Sequence, residues 1–225
     1  MESFGHPPGG DRTGPAGLGQ KELALGDSYA KGNGVPKDPV TAYRWYRASA
    51  SLNCAEAMWR LVMCHSQGDG CDASDEKAIH FCRLAAAAEH PAAASFLGDC
   101  HLRGRLGVAK NLQTATAWFE KAANLGDSTA QNNLGICYTS GASTDWAKAT
   151  MWWKRSADLG NPNAQYNLGL VYAHGQGVAP DLAAAYGLFH SAANKAQPKA
   201  LYELGLCMAR GFGCKANPKE GQVWA

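Results

Sequence analysis

The sequence has little net charge and lacks long hydrophobic runs. Its 21 Lys and Arg residues nearly balance 19 Asp and Glu residues, which leaves a formal net charge of +2. A nearly neutral chain gives no electrostatic reason to expect a nucleic acid or an anionic membrane surface as partner. No apolar run approaches the roughly 18–20 residues of a transmembrane helix. We therefore expect no nucleic acid partner and no direct membrane insertion.

The first twenty residues also lack the apolar segment of a secretory signal. Residues 1–20 are instead rich in Gly and Pro. Such a composition buries too little apolar surface to fold, so we expect a disordered lead over residues 1–20. Without a secretory signal or a transmembrane segment, a cytoplasmic location is favoured.

The common motifs of nucleotide, metal and catalytic sites are missing as well. The sequence has no G-x-x-x-x-G-K-[ST] phosphate loop, no G-x-G-x-x-G fingerprint and no C-x-x-C pair. Ser28 and Ser74 each precede a Lys by three residues, as in penicillin-recognising enzymes, but the S-D-N and K-T-G partners of that motif are missing. Cys64 and His65 are neighbours on a predicted helix and point about 100° apart, which does not suit one metal ion. We expect no enzyme activity, no metal site and no cofactor.

What the sequence does contain is one helix-entry pattern that recurs six times, about every 36 residues. Each copy starts with a residue that caps helix N-termini well and has a small residue four positions later. In five of the copies an aromatic residue follows seven positions after the cap. The six capping positions are Asp38, Ser74, Asn111, Asp145, Asp181 and Asn217. A period of this length is typical of solenoids, which usually hold partners.

A further helix is predicted before each of these entries. In the fourth copy Ala130, Leu134 and Tyr138 stand at four-residue intervals and form one apolar stripe on a helix. The Gly that follows the Leu, as in Gly135, costs about 1 kcal/mol in mid-helix relative to Ala. Its recurrence predicts close contact with a neighbouring helix. A later Gly, such as Gly175 in the fifth copy, ends the helix with left-handed dihedral angles.

Six of the eight cysteines share positions between copies. Cys71 and Cys214 occupy one loop position, and another register holds Cys64, Cys100, Cys137 and Cys207. A small, weakly polar side chain at one register predicts core packing. Neighbouring helices lie about 8–10 Å apart, whereas a disulfide needs Cα atoms within about 7 Å, so we expect reduced thiols.

The combined pattern resembles the Sel-one-like repeat, a relative of the tetratricopeptide repeat, over residues 21–225. The resemblance implies an all-α, right-handed superhelical solenoid of about six helix-turn-helix repeats, with the first helices on the concave side. The last second helix begins at Asn217 and the sequence stops at Ala225, so we expect five full repeats and a truncated sixth.

The same resemblance implies a function. Members of this family look like adaptors that bring proteins into complexes. We therefore expect a non-enzymatic scaffold, a monomeric array that binds a protein or peptide partner on its concave face. The alternative is a regulatory repeat module of a larger enzyme or complex, of which this chain is a fragment.

The register of the repeat selects the first candidate binding residues. Asn133, Asn167 and Glu203 stand just before the Leu of each Leu-Gly pair. Gln131 and Gln165 stand three positions before that Leu. An amide both donates and accepts, so these side chains suit an extended peptide backbone, unless they are ordinary solvated positions. We expect Asn133→Ala with Asn167→Ala to weaken partner binding without changing the melting temperature.

A second row of candidates stands just before the loop glycine. It includes His174 and Arg210. Basic side chains here suit an acidic partner, or they simply face the negative end of the helix dipole.

Overall fold

The computed structural model describes residues 19–140 and 144–224, which contain twelve α-helices and no β-strand. The predicted lead lies outside the described residues except for Gly19 and Gln20, and Gln20 already begins the first helix. Residues 141–143, between the two helices of the fourth copy, also lie outside them. The helices are α1 (Gln20–Lys31), α2 (Pro39–Ser51), α3 (Ala55–Gln67), α4 (Asp75–Ala87), α5 (Pro91–Arg103), α6 (Leu112–Asn124), α7 (Ser128–Ser140), α8 (Trp146–Asp158), α9 (Pro162–His174), α10 (Leu182–Ala193), α11 (Pro198–Arg210) and α12 (Pro218–Trp224).

The helices belong to two compact units. Unit 1 contains α1 to α5, and unit 2 contains α6 to α12. Within each unit every helix packs against the next one along the chain. The connections are short, and short connections make neighbouring helices antiparallel. The predicted all-α, helix-turn-helix organisation is therefore confirmed.

Local side-chain caps start these helices. The predicted caps of the second helices all accept a hydrogen bond from a backbone N–H two or three residues later; they are Asp38, Ser74, Asn111, Asp145, Asp181 and Asn217. Four first helices have side-chain caps that the sequence pattern did not predict, at His90, Asp127, Asn161 and Gln197. At the other end, Gly175 stops α9 with φ of 66°, in the left-handed region as predicted.

The mid-helix glycines make the predicted close contacts. A Cβ atom on Gly169 would lie 2.5 Å from the Phe189 ring, which is only 2% exposed. Gly135 faces the indole of Trp153 in the same way. The ring in each case comes from the second helix of the same repeat and takes the space that a methyl group would fill. The missing side chain thus seats an aromatic residue in the core.

The core cysteines are buried as predicted. Cys64, Cys100, Cys137 and Cys207 are each at most 7% exposed, and all eight cysteines are free thiols. Burial raises the pKa of Cys64 to about 11 and that of Cys82 to about 12, because the thiolate loses its hydration. These thiols stay protonated near neutral pH and serve as packing groups.

Candidate functional site

The seven predicted binding residues all lie in unit 2, on the first helices α7, α9 and α11. Asn133, Asn167 and Glu203 are half-buried, and His174 and Arg210 are exposed. We call the side of unit 2 that these five residues share the first-helix face.

Three asparagine side chains form a continuous hydrogen-bonded chain on this face. Asn167 Nδ2 donates to Asn132 Oδ1 at 2.9 Å, and Asn132 Nδ2 donates to Asn133 Oδ1 at 3.3 Å. We call these three residues the amide chain. Aligned amides polarise one another, so each bond strengthens the next.

The two ends of the amide chain are open. Among the described residues, Asn133 Nδ2 and Asn167 Oδ1 have no hydrogen-bond partner. One end therefore offers a donor and the other an acceptor. A peptide bond offers the complementary pair, a carbonyl and an N–H.

Glu203 takes the same place on α11 that Asn167 takes on α9. Its carboxylate lies near Tyr166 of the preceding repeat, and its negative charge adds to burial in raising the pKa of Tyr166. Glu203 has no ion-pair partner among the described residues. The face thus continues onto α11 with a carboxylate acceptor.

Gln131 and Gln165 differ from the predicted exposure. They are 6% and 9% exposed, because their register points toward the preceding second helix. Gln131 Nε2 donates to the carbonyl of Ala123 at 3.2 Å, and Gln165 Nε2 donates to the carbonyl of Ala157 at 3.4 Å. These amides join consecutive helices and do not present their polar atoms on the first-helix face.

The sequence pattern missed Asn132, the middle member of the amide chain. It is only 5% exposed, and its backbone carbonyl accepts a 3.1 Å hydrogen bond from Trp153 Nε1. The run Gln131-Asn132-Asn133 was a possible signal, since three consecutive amides on a helix are unusual for a simple apolar stripe. Its partner is 35 residues away, and no local pattern reveals that distance.

Apolar side chains lie between the two polar rows. Ile136, Leu170 and Leu206 stand two residues after the Leu of their repeats, and Ile136 is 37% exposed while the others are half-buried. Helix positions separated by three and seven residues share one side. Each first helix of unit 2 therefore offers, in order, an amide or carboxylate, an apolar side chain and a polar or basic one.

The corresponding helices of unit 1 carry charges that pair with one another. Arg60 lies 3.1 Å from Glu56 and 3.3 Å from Asp27, measured between nitrogen and carboxylate oxygen. Glu56 also contacts His90 Nε2 at 2.9 Å. Asp99 of α5 contacts both Arg103, the last residue of that helix, and Arg105 in the loop that follows. These groups already have partners within the unit.

One polar cluster in unit 1 invites a catalytic interpretation. His65 is 1% exposed, with Nε2 lying 3.3 Å from Tyr43 Oη and Nδ1 lying 3.3 Å from Cys71 Sγ. Burial raises the pKa of Cys71, so the thiol stays protonated and is a poor nucleophile. Ser74, of the S-x-x-K match, is occupied as a helix cap.

The described residues show neither a metal-binding group nor a membrane-spanning helix. Over residues 19–140 and 144–224, no three His, Cys, Asp or Glu side chains are grouped in a way that would hold a metal ion. In the same part of the chain, every helix is too short or too polar to cross a membrane.

Comparison with known proteins identifies the repeat. The Sel1 repeat model matches six consecutive segments, at residues 20–54, 55–90, 91–127, 128–161, 162–196 and 198–225. The crystal structure of a Sel1 repeat protein from Oxalobacter formigenes is similar, with 33% identity and a TM-score of 0.83, over 94% of this chain and 85% of that one. So is c5321, a protective antigen of uropathogenic Escherichia coli with an SLR fold, at 27% identity and a TM-score of 0.82, over 93% of this chain and 45% of that one.

Curated relatives are similar over shorter stretches. Chitin synthase regulator SKT5 of Saccharomyces cerevisiae is 29% identical over 110 residues, which are 48% of this chain and 16% of that protein. The matches span only 14–22% of the length of the curated relatives. The family match, in contrast, covers nearly the whole chain, and the protein belongs to the Sel1 repeat family.

Proposed function

We propose that this chain is a non-enzymatic scaffold that binds an extended segment of a partner protein on the first-helix face of unit 2. Asn133 and Asn167 bind the partner's backbone, and Glu203 accepts a further N–H. In the solenoid that the family resemblance implies, this is the concave face.

The open amide chain carries this proposal. At its ends stand a donor and an acceptor that have no hydrogen-bond partner within residues 19–140 and 144–224, and bonds to the buried Asn132 hold them in place. Preorganised polar groups lose little entropy on binding, so they favour a ligand that matches them. An extended peptide backbone matches them without regard to its side chains.

The relatives support a role in regulation through binding. The name of SKT5 describes that yeast protein as a regulator of chitin synthase. By analogy, this chain acts on another protein by holding it. The short coverage of the curated relatives supports the alternative that the array is a regulatory module within a larger protein or complex.

A peptide selection with a matched pair of variants tests the proposal. Linear dodecapeptides are selected with the full chain from a random library displayed on phage, and the affinity of a synthetic copy is measured by fluorescence anisotropy. Asn133→Asp removes the open donor but keeps Oδ1 as acceptor for Asn132. We expect about a tenfold loss of affinity, since a lost donor and a facing carboxylate both oppose a peptide carbonyl.

The control is Asn124→Asp, which adds the same charge at the exposed last residue of α6, a second helix that does not belong to the first-helix face. Its affinity should stay within about twofold of the original. Equal affinities for Asn133→Asp and the unmodified chain would contradict the proposal, provided that circular dichroism shows both proteins folded.

A further inference from the structure

The charged residues on the first helices of unit 2 are few and unevenly placed. Helix α7 has no acidic or basic side chain. In α9 the acidic and basic residue types are represented by His174 alone. Helix α11 has Lys199, Glu203 and Arg210. A basic side chain therefore stands at the end of α9 and another at the end of α11.

His174 and Arg210 share one register and are both exposed. Each is the last residue of its helix, six positions after the Leu of its repeat. Within the described residues neither has a carboxylate partner, and the Arg210 guanidinium lies 5.9 Å from the centre of the Phe212 ring. A ring stacked on one side leaves the guanidinium edge open to an anion.

At the same register in unit 1, one basic residue has an ion-pair partner within its own helix. Arg103 is the last residue of α5 and is paired with Asp99 one turn earlier. In α11 the residue four positions before Arg210 is Leu206, so the internal carboxylate is replaced by an apolar side chain. Arg210 therefore lacks this internal carboxylate and is available to pair with a carboxylate of a bound partner.

We infer that the partner segment is acidic: an extended peptide whose carboxylate side chains contact His174 and Arg210 and whose intervening apolar side chain packs on Leu170 and Leu206. This inference rests on the proposed function and adds the chemistry of the partner. Helices pack 8–10 Å apart and an extended chain rises about 3.3 Å per residue, so one repeat corresponds to about three peptide residues. The expected segment therefore has two acidic residues about three positions apart, with an apolar residue between them.

A charge-swap experiment tests the inference. The full chain selects dodecapeptides from the random phage library, and the selected sequences should be enriched in this acidic–apolar pattern. Arg210→Glu should lower the affinity for a selected acidic peptide about tenfold and raise it for the same peptide with lysines in place of its acidic residues. The effect should shrink at high salt.

The matched control is Lys31→Glu. Lys31 occupies the same register in α1 of unit 1, is exposed, and lies outside the first-helix face. It should leave the affinity within about twofold of the original. Selected peptides without acidic residues, or equal affinities for Arg210→Glu and the unmodified chain, would overturn the inference.

The outcomes separate this inference from the proposed function. If Asn133→Asp weakens binding and Arg210→Glu does not, the face binds a peptide but the acidic partner is wrong. A library that yields no binder contradicts both. Light scattering adds a third outcome. A dimer of the chain that Arg210→Glu dissociates would show that a second copy of the chain occupies the face. That result would also overturn the inference of an acidic peptide partner.

Discussion

Asn167 donates a 2.9 Å hydrogen bond to Asn132, one repeat earlier in the chain. Asn132 also accepts from Trp153 through its backbone carbonyl, so α7, α8 and α9 meet at this residue. Because of this hydrogen bond, we no longer expect the variant with both Asn133→Ala and Asn167→Ala to keep the original melting temperature. The Asn133→Ala, Asn167→Ala variant should bind less and also melt earlier, because a buried Asn132 oxygen loses its donor at a cost of about 1–3 kcal/mol.

Replacing the centre of the amide chain should destabilise the protein. Asn132→Ala removes both side-chain hydrogen bonds at a position that is 5% exposed. We expect the free energy of unfolding to fall by about 1–2 kcal/mol in urea titrations. Thr129→Ala, at an exposed position of the same helix, is the control and should change it by less than about 0.5 kcal/mol. A variant as stable as its control would show that the chain of amides adds nothing to the fold.

Two glycines in one repeat should respond to alanine with opposite signs. A methyl group on Gly169 would meet the buried Phe189 ring at 2.5 Å, so Gly169→Ala should cost about 1–3 kcal/mol. Gly187 lies in α10 with nothing within 4 Å of its added Cβ, so Gly187→Ala should stabilise by about 0.5–1 kcal/mol. Thermal unfolding measures both, and a Gly169→Ala variant as stable as the unmodified protein would contradict the packing described for Gly169.

His65 should make the protein less stable in acid. Burial lowers its pKa below the ordinary 6.5, with the positive charges of Lys77 and Arg47 acting in the same direction. Below about pH 6.5 the unfolded chain therefore binds a proton on this imidazole more readily than the folded protein does. The contribution of neutral His65 is complete above about pH 6.5 and is lost as the pH falls below it.

The comparison of His65→Gln with the unmodified protein isolates this effect. Glutamine keeps a donor and an acceptor but does not titrate, so stability measured by urea unfolding at pH 7.5 and pH 5 should change less in the variant. Parallel losses in both proteins would assign the acid sensitivity to other groups.

The buried thiols should react slowly in the folded protein. Burial raises the pKa of Cys82 to about 12 and that of Cys207 to about 11, so almost no thiolate forms at pH 8. The half-buried Cys71 and Cys214 should be alkylated by iodoacetamide first, and all eight cysteines should react in urea. Peptide mass spectrometry follows each site; rapid modification of native Cys82 would contradict the packing of α4 against α5.

The repeat, its helix starts and much of its core follow from the amino-acid sequence. A cap such as Asp181 bonds to a backbone N–H three residues away, and a C-terminal glycine such as Gly175 sets its own dihedral angles. These interactions are local, so composition and spacing reveal them. The glycine after each Leu also indicated a close contact, because nothing else offsets its cost in a helix.

Which amide side chains are available to a partner depends on packing between helices. Gln131 and Asn133 stand two residues apart on α7, yet the first is buried against α6 and the second keeps an open donor. The deciding contacts join residues on different helices, up to 35 positions apart in the case of Asn132 and Asn167. A helical register gives each side chain a direction, but burial depends on the neighbouring helix that lies there, and this is set by packing between repeats.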